Sequence, residues 1–232
     1  MYIWQTVTIR LYHYQMPRVA DHDARRALIA RTFQRHVVQH GLPATTFARV
    51  AAAAGISVGL IQHYFASRDE LLRFVYLDAL RRRDDRIAMR IAEGEAAERP
   101  IRDIVATAVR ELLPLDEVRI DEHHVSQNLL TQALHDPALA EVAAGADRAL
   151  HLRASTAVRN GKECGEVEPG IDAEAAAAGI LATTYGLAIR LALAAPVGPS
   201  IRQDHADAVL EPVLAITFTG RCRHYDRPHE DR

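Results

Sequence analysis

Cysteine is scarce in this 232-residue chain, which contains only Cys164 and Cys222. The two residues stand far apart in the sequence and match no spacing of metal ligands. A small scaffold held by disulfides is therefore excluded, and we expect reduced thiols in a cytoplasmic protein. No H-E-x-x-H, P-loop or G-x-G-x-x-G motif is present either. The sequence accordingly predicts no metal site, no cofactor and no enzymatic activity.

Long hydrophobic runs are also missing. The most apolar stretch, residues 175–189, has 15 uncharged residues, fewer than the ~18–20 that a membrane span needs. Thr183, Thr184 and Gly186 interrupt it. Apolar residues make up 49% of the chain and charged residues 25%, as in an ordinary soluble globular protein. We therefore expect no contact with a membrane.

The first fifteen residues differ in composition from the rest of the chain. They hold the single tryptophan, Trp4, three of the seven tyrosines and no acidic residue. One arginine and no long apolar run argue against a secretory signal. We expect Met16 to be the natural start and residues 1–15 to be an added leader. An ordered arm that packs on the following domain is the alternative.

Charge is distributed unevenly along the chain. Residues 1–92 carry 14 arginines and 7 acidic residues, whereas residues 93–232 carry 14 basic and 23 acidic residues. The net charges of the two parts are therefore +7 and −9, although the whole chain has a net charge of −2. A basic amino-terminal part on an acidic body indicates a polyanionic partner for the first part.

Apolar residues recur with helical period from residue 21 onward, and no segment requires a strand. Serine, threonine or aspartate precedes several periodic segments, and glycine or proline follows them, as expected at helix ends. We predict an all-α fold of about nine helices. The expected helices cover residues 21–40, 46–54, 58–65, 68–92, 101–113, 116–135, 137–160, 172–195 and 201–219.

Residues 45–71, TTFARVAAAAGISVGLIQHYFASRDEL, carry the most specific pattern. A helix that threonine can cap ends at Gly55, and Ser57 opens a short second helix. Ser67 and Glu70 have the spacing of a capping box, which begins the next helix. Two short helices joined by a tight glycine turn, close to arginines, are the sequence form of a helix-turn-helix that reads DNA.

The segment AGISVGLIQHYFASRDELL resembles the signature of TetR-type one-component transcriptional repressors. The resemblance covers residues 22–72, about a fifth of the chain. It includes the Gly-x-Ser turn, the short recognition helix with its aromatic end, and the Ser-basic-acidic-acidic-Leu start of the next helix. Where the family usually has a tyrosine, this chain has Gln62. The rest of the chain matches the family in helix count, length and order, and faintly resembles its betaine-regulator branch.

This resemblance implies a DNA-binding head of three helices, a long connecting fourth helix, and an all-helical body for ligand binding and dimerisation. The expected parts are a leader (1–15), the head (16–67, with the helix-turn-helix at about 46–65), the connecting helix (68–92), the body (93–221) and a polar tail (222–232).

The recognition helix exposes a small set of side chains to the major groove, where each base pair has a distinct donor–acceptor pattern. Gln62 can read adenine or hold a phosphate, Val58 can touch a thymine methyl group or simply pack, and Gly59 permits close approach. A threonine at the start of the preceding helix can meet a phosphate or can be an ordinary cap. The family places a phosphate-binding base at Arg68. The predicted DNA-binding residues are Thr45, Thr46, Arg49, Ser57, Val58, Gly59, Gln62, His63, Tyr64 and Arg68.

Residues 172–195 and 201–219 are apolar enough to be buried in a large core or an interface. Two such helices from each subunit would form a four-helix interface with two-fold symmetry. We therefore predict a homodimer. The expected contact stripe on the last helix consists of Val209, Leu210, Val213, Leu214 and Thr217.

The resemblance places a pocket for a small, hydrophobic or aromatic inducer among the fourth to eighth helices. Polar groups on otherwise apolar helices are its candidate residues, although the pair His123-His124 also fits a surface patch. The predicted ligand-binding residues are Tyr76, His124, Gln127, Asn128, Thr131 and Tyr185.

The sequence therefore predicts a cytoplasmic, sequence-specific DNA-binding regulator, most consistent with a repressor that a small molecule releases from a palindromic operator. The alternative is a helical ligand-binding protein or enzyme in which the helix-turn-helix is only a packing module. The charge asymmetry and the lack of a catalytic constellation favour the regulator.

Overall fold

The computed structural model describes residues 20–193 and 205–223, with side chains from residue 22 onward. Within these ranges the chain forms nine helices and no strand, so the predicted all-α fold is confirmed. The expected leader (1–15) and most of the expected tail lie outside the described residues. The same is true of the turn expected after residue 195 and of the expected start of the last helix.

The helices are α1 (Ala20–His40), α2 (Phe47–Ala54), α3 (Val58–Tyr64), α4 (Arg68–Ala96), α5 (Ile101–Arg110), α6 (Glu117–Ala133), α7 (Pro137–Cys164), α8 (Ala173–Leu193) and α9 (His205–Thr217). Two of them are longer than predicted. Helix α4 continues past residue 92, the predicted end of the connecting helix, to Ala96, because the alanine and glutamates of this segment are strong helix formers. Helix α7 continues to Cys164, where Gly165 ends it with a φ of +94°.

The head has its own apolar centre, which α1, α2, α3 and the first turns of α4 build together. Phe33, Val50, Ile61, Phe65 and Leu72 are all completely buried in it. The periodicity of the sequence explains this, since the apolar residues of each short helix fall on one face. The head is therefore packed tightly enough to hold α3 in one orientation.

The core of the head continues into the body. Val125 and Leu129 of α6, together with Leu139 of α7, belong to the same buried cluster as the head residues. Helix α1 packs directly against α6. A displacement of α6 would therefore be transmitted to the head through side-chain contacts as well as through the connecting helix α4.

A second core lies in the body between α5, α7, α8 and α9. Among the described residues, α8 alone is long and apolar enough to cross a membrane by length and composition, and 39% of its most apolar window is buried inside the protein. It packs against α7 and α9. The uncharged run alone predicted a segment too short for a span, whereas the whole helix meets both criteria. A core helix of a soluble protein can meet them as well.

Two buried carboxylates attach α4 to the body. Glu111, the residue that ends α5, is 6% exposed, and Glu122 on α6 is 7% exposed. Arg86 bridges them, because Nη2 donates to Glu122 Oε2 at 2.7 Å and Nε donates to Glu111 Oε2 at 3.2 Å. One turn to either side, Arg82 donates to Glu122 at 3.0 Å and Arg90 donates to Glu111 at 2.9 Å. These ion pairs fix α4 against both α5 and α6.

The variant Glu122→Gln tests the contribution of this network. It keeps the size of the side chain but removes the charge that Arg82 and Arg86 face, so we expect the free energy of unfolding to fall by about 3 kcal/mol. Urea unfolding followed by circular dichroism measures this change. The control is Glu117→Gln, an exposed residue of the same helix, which should change the free energy by less than ~0.5 kcal/mol. Equal losses in the two variants would contradict a stabilising role for the network.

Candidate nucleic-acid interface and ligand site

Capping side chains and one glycine shape the turn between α2 and α3. Thr46 Oγ1 accepts a hydrogen bond from Arg49 N at the start of α2, and Ser57 Oγ accepts one from Leu60 N at the start of α3. Gly55 has a φ of +66°, which side chains other than that of glycine rarely adopt. The predicted helix-turn-helix is therefore present, with the caps at Thr46 and Ser57.

Helix α3 has one buried side and one exposed side. Ile61 is completely buried, whereas Val58, Gly59, Gln62 and His63 are exposed. The exposed set is the one that the sequence predicted to face the major groove. A Cβ at Gly59 would lie 4.0 Å from its nearest neighbour, Ser57 Oγ, so the fold does not require glycine there. Contact of these residues with bases remains a prediction.

The residues predicted to touch phosphates differ in their accessibility. Thr45 is completely buried, donates to Gly41 O at 2.8 Å and lies 3.2 Å from His36 Nδ1, so its assignment to DNA is wrong. Its hydroxyl is committed to holding α1 against the turn before α2. Thr46 and Arg49, in contrast, are exposed on the outer side of the same turn. They remain predicted phosphate contacts.

Tyr64 and Arg68 connect α3 and α4 to the rest of the head. The Tyr64 ring is half-buried and lies edge-on to the His22 ring, with 4.7 Å between the ring centroids. Arg68, also half-buried, donates to Leu42 O at 3.3 Å. Ser67 caps α4 as predicted by accepting from Glu70 N at 3.0 Å. The guanidinium of Arg68 is thus held close to the turn before α2.

Residues 55–59 also read Gly-x-Ser-x-Gly, the pattern of a hydrolase nucleophile elbow. That elbow needs a strand before the serine and a helix after it, whereas Ser57 lies between two helices. Within residues 20–193 and 205–223, no histidine or carboxylate bonds to the Ser57 hydroxyl. The pattern therefore serves the turn of the helix-turn-helix.

A cavity of about 450 Å³ lies in the body between α4, α5, α7 and α8. The Nδ2 atom of Asn160 is buried and has no hydrogen-bond partner among the described residues. Asn160 is 9% exposed and lines this cavity. The wall is otherwise almost entirely apolar and consists mainly of Ile87, Ile91, Ile101, Ile104, Val105, Ala108, Val109, Leu112, Leu150, Ala154, Ala157 and Leu181. Sequence reasoning missed this cavity, because apolar lining residues have the same pattern as core residues.

A second cavity of about 460 Å³ lies between α4, α6, α7 and α8. Three of the six predicted ligand residues, Tyr76, Gln127 and Tyr185, line it. The other three, His124, Asn128 and Thr131, line neither cavity. The side chains of Asn128 and Thr131 donate to carbonyl oxygens one turn earlier on their own helix, so neither cavity supports these two predictions.

The second cavity contains titratable groups that sequence reasoning overlooked. They include His123, rather than the predicted His124, and both buried carboxylates of the α4 network, Glu111 and Glu122. Burial, with a smaller effect from His124, lowers the pKa of His123 to about 4. Burial also raises the pKa of Tyr185 to about 12. At neutral pH both side chains are therefore uncharged and can offer hydrogen bonds.

The predicted dimer stripe on α9 is partly wrong. Leu210, Leu214 and Thr217 are buried within the subunit, because they pack in the core that α9 shares with α8 and α5. The outward side is nevertheless apolar. Ile216 is 72% exposed and Leu193 on α8 is 68% exposed. The exposed small and apolar residues are Ala175, Ala178, Gly179, Ala182, Gly186, Ile189 and Leu193 on α8, and Ala208, Val209, Pro212, Ala215 and Ile216 on α9.

Comparison with known protein families agrees with this division into head and body. Residues 35–75 match the model of bacterial regulatory proteins of the tetR family. Residues 101–215 match the model for the C-terminal part of BetI-type transcriptional repressors. The first match contains the whole helix-turn-helix, and the second runs from α5 into α9.

Individual relatives extend the similarity over most of the chain. The transcriptional regulator BetI of Burkholderia lata is 30% identical over 187 residues, which are 77% of this chain and 88% of that protein. The regulator PksA of Bacillus subtilis is 35% identical over 103 residues, 44% of this chain but only 42% of PksA. The crystal structure of a transcriptional regulator from Rhodococcus sp. Rha1 superposes with a TM-score of 0.68 at 26% identity, covering 83% of this chain and 95% of that one.

The fold, the exposed α3 and these similarities define a helix-turn-helix transcription factor. The chain belongs to the TetR family and is a DNA-binding transcriptional regulator with a BetI-type body.

Proposed function

We propose that this regulator is a cytoplasmic homodimeric repressor that leaves a palindromic operator when a small apolar molecule enters its body. The observation that carries the proposal is the position of α4. Its first turn belongs to the DNA-binding head, and Ile87 and Ile91 further along it line the apolar cavity.

The exposed side of α3 supports base reading in the major groove. Gln62 can form a bidentate pair with adenine, the pairing that its amide geometry favours. Val58 is 37% exposed and can reach a thymine methyl group. Thr46, Arg49 and Arg68 surround α3 and supply phosphate contacts, which fix the orientation of the helix.

The exposed apolar sides of α8 and α9 support a two-fold dimer. Ile216 and Leu193 are strongly exposed, and they belong to a surface of small and apolar residues that extends along both helices. An apolar surface of this extent is typical of one that meets a partner. Small residues on α8 allow a second copy of this helix to approach closely. A dimer would place two heads at a fixed separation, and two heads read two half-sites of a palindrome.

The first cavity supports an apolar ligand with one acceptor group. Its volume of about 450 Å³ suits a small organic molecule. A carbonyl or ether oxygen on the ligand would accept the hydrogen bond that Asn160 Nδ2 can donate. A buried donor without a partner costs ~1–3 kcal/mol, so a ligand that supplies the acceptor gains affinity over a pure hydrocarbon.

Ligand binding would act on the DNA-binding head through α4. A ligand between α4 and α7 favours the arrangement in which the cavity is widest, and only this difference in affinity can shift the equilibrium. The arginines on α4 that hold Glu111 and Glu122 lie next to the cavities. A changed position of α4 therefore reaches α6 and, through Val125 and Leu129, the core of the head.

A gel-shift titration with the DNA that flanks the gene tests the proposed function. We expect specific binding that falls by roughly 10³-fold or more between 50 and 200 mM salt, as for proteins with six or more phosphate contacts. A shuffled fragment of the same composition is the control. Absent binding, or binding that does not respond to salt, would instead support a ligand-binding protein whose head is a packing module.

Variants of Gln62 and Arg68 separate base reading from phosphate binding. Gln62→Ala should weaken operator binding by about 1–3 kcal/mol and change binding to shuffled DNA little. Arg68→Ala should weaken both equally and reduce the salt slope by about one. Arg148→Ala, which removes the same charge from the exposed side of α7, is the control. An equal loss on both DNAs for Gln62→Ala would make Gln62 a phosphate contact only.

Filling one cavity at a time locates the inducer. Thermal shift with matched series of apolar compounds, with and without a carbonyl group, should show larger stabilisation by the carbonyl series. Ala154→Phe fills the first cavity and should abolish the shift, whereas Ala146→Phe on the same helix fills the second cavity and should leave it unchanged. Asn160→Leu should remove the preference for carbonyl compounds. A response lost in Ala146→Phe instead would assign the ligand to the second cavity.

A further inference from the structure

Three side chains that can bind a metal ion converge where α7 ends. Cys164 is the last residue of α7, Glu166 lies in the following loop, and Cys222 lies in the segment after α9. One donor atom from each lies within 4.8 Å of the other two. The Cys164 Sγ and Glu166 Oε1 atoms are 3.5 Å apart. The sequence separates the two cysteines by 58 positions, so only the fold brings these groups together.

Backbone hydrogen bonds hold the segment after α9 in this place. Gly220 N donates to Glu166 O at 2.9 Å, and Arg223 N donates to Cys164 O at 2.8 Å. A Cβ at position 220 would lie 2.1 Å from Gly165 O, so this close approach requires glycine. Cys222 lies between these two bonds and is therefore positioned beside Cys164 by the backbone.

The carboxylate of Glu166 is buried and oriented. It is 2% exposed, and its two oxygens accept hydrogen bonds from Ile101 N at 2.7 Å and Arg102 N at 2.9 Å, at the start of α5. These amide groups favour the ionised form of the side chain. Each carboxylate oxygen has a second lone pair, so Glu166 can cap α5 and bind a cation at the same time.

We propose that Cys164, Glu166 and Cys222 bind one thiophilic divalent cation, for which Zn²⁺ is the best fit, and that this ion fastens the end of α9 to α7 and α5. A tetrahedral Zn²⁺ ion has Zn–S and Zn–O distances of about 2.3 and 2.0 Å, and these give an S···O edge of roughly 3.5 Å. The separation of Cys164 Sγ and Glu166 Oε1 has this value.

The balance of charge and of coordination is consistent with such an ion. The two thiols release their protons to water when the cation binds. The ion then neutralises two of the three negative charges of the two thiolates and the carboxylate, and the N-terminus of α5 offsets part of the third. The three protein donors leave a fourth position for water or an added ligand. Cys222 is half-buried, so the ion has a path from solvent.

Binding of the ion would matter for the position of α9. The carboxylates Glu211 and Asp207 of α9 pair with Arg102 and Arg110 of α5. Beyond these pairs, the segment after α9 is held by the buried Phe218 and by the two backbone bonds at Glu166 and Cys164. The ion would add a third and stronger attachment at this point. The inference rests on local geometry alone and stands whether or not the proposed inducer exists.

Titration of the reduced, metal-free full-length protein with Co²⁺ tests the site. We expect one Co²⁺ per chain, with thiolate-to-cobalt charge-transfer absorption and the visible bands of a tetrahedral site, and we expect Zn²⁺ to displace it. Zn²⁺ should also raise the thermal unfolding midpoint. Cys222→Ser should weaken binding by more than ~100-fold, beyond the loss typical for groups outside the first coordination shell. Glu163→Gln, an exposed carboxylate next to Cys164, is the control and should bind like the wild type.

Three results would overturn the proposal. The first is an absence of charge-transfer absorption in the reduced wild type. The second is unchanged binding in Cys222→Ser. A circular dichroism spectrum that matches that of the wild type shows that this variant is folded. The third is an intact mass lower by two hydrogen atoms in protein isolated without reductant, because a disulfide between Cys164 and Cys222 would then occupy the site.

Discussion

The buried carboxylates Glu111 and Glu122 hold the helix that connects the two parts of this molecule. Helix α4 has 29 residues and is therefore roughly 43 Å long. Its first turns are part of the head, and its later turns line both cavities. Among the described residues, the most buried polar attachment of its middle is the set of arginines around the two carboxylates, and Asp84 also pairs with Arg153 of α7 at 3.3 Å. A buried carboxylate that lost its arginine would destabilise the protein. Helix α4 can therefore adopt few positions, and the head moves with it.

This arrangement explains how a regulator can couple two distant events. The cavities lie on either side of the ion-pair network, and Leu112 lines both of them. A ligand in either cavity lies against α4, while α6 carries Glu122 on one side and the head-contacting Val125 and Leu129 on the other. Two routes, through α4 itself and through α6, therefore connect the body with α3. A network of polar contacts with defined geometry suits such a role better than an apolar contact, because it favours discrete arrangements.

Helix α9 and the segment that follows it lie in the part of the body that is remote from the head. Helix α9 faces inward with Leu210 and Leu214 and outward with Ile216. Its inner side completes the second core, and its outer side is the surface that we propose for a second copy of the chain. The segment that follows α9 returns to α7, where Cys222 meets Cys164 and Glu166. An interaction that holds this segment in place also holds the outer side of α9 in place. In a dimer formed through that side, it would also set the separation of the two heads.

Local signals in the sequence determined the helices, the caps at Thr46, Ser57 and Ser67, the glycine turn at Gly55 and the exposed side of α3. Each of these depends on residues within about one helical turn, where periodicity and capping act. The tertiary structure decided what depends on contacts between distant segments. It buried Thr45 against His36, turned most of the predicted α9 stripe inward, and placed His123 rather than His124 at a cavity. It also joined two cysteines that are unrelated in sequence, because the return of the chain after α9, and no local pattern, sets their distance.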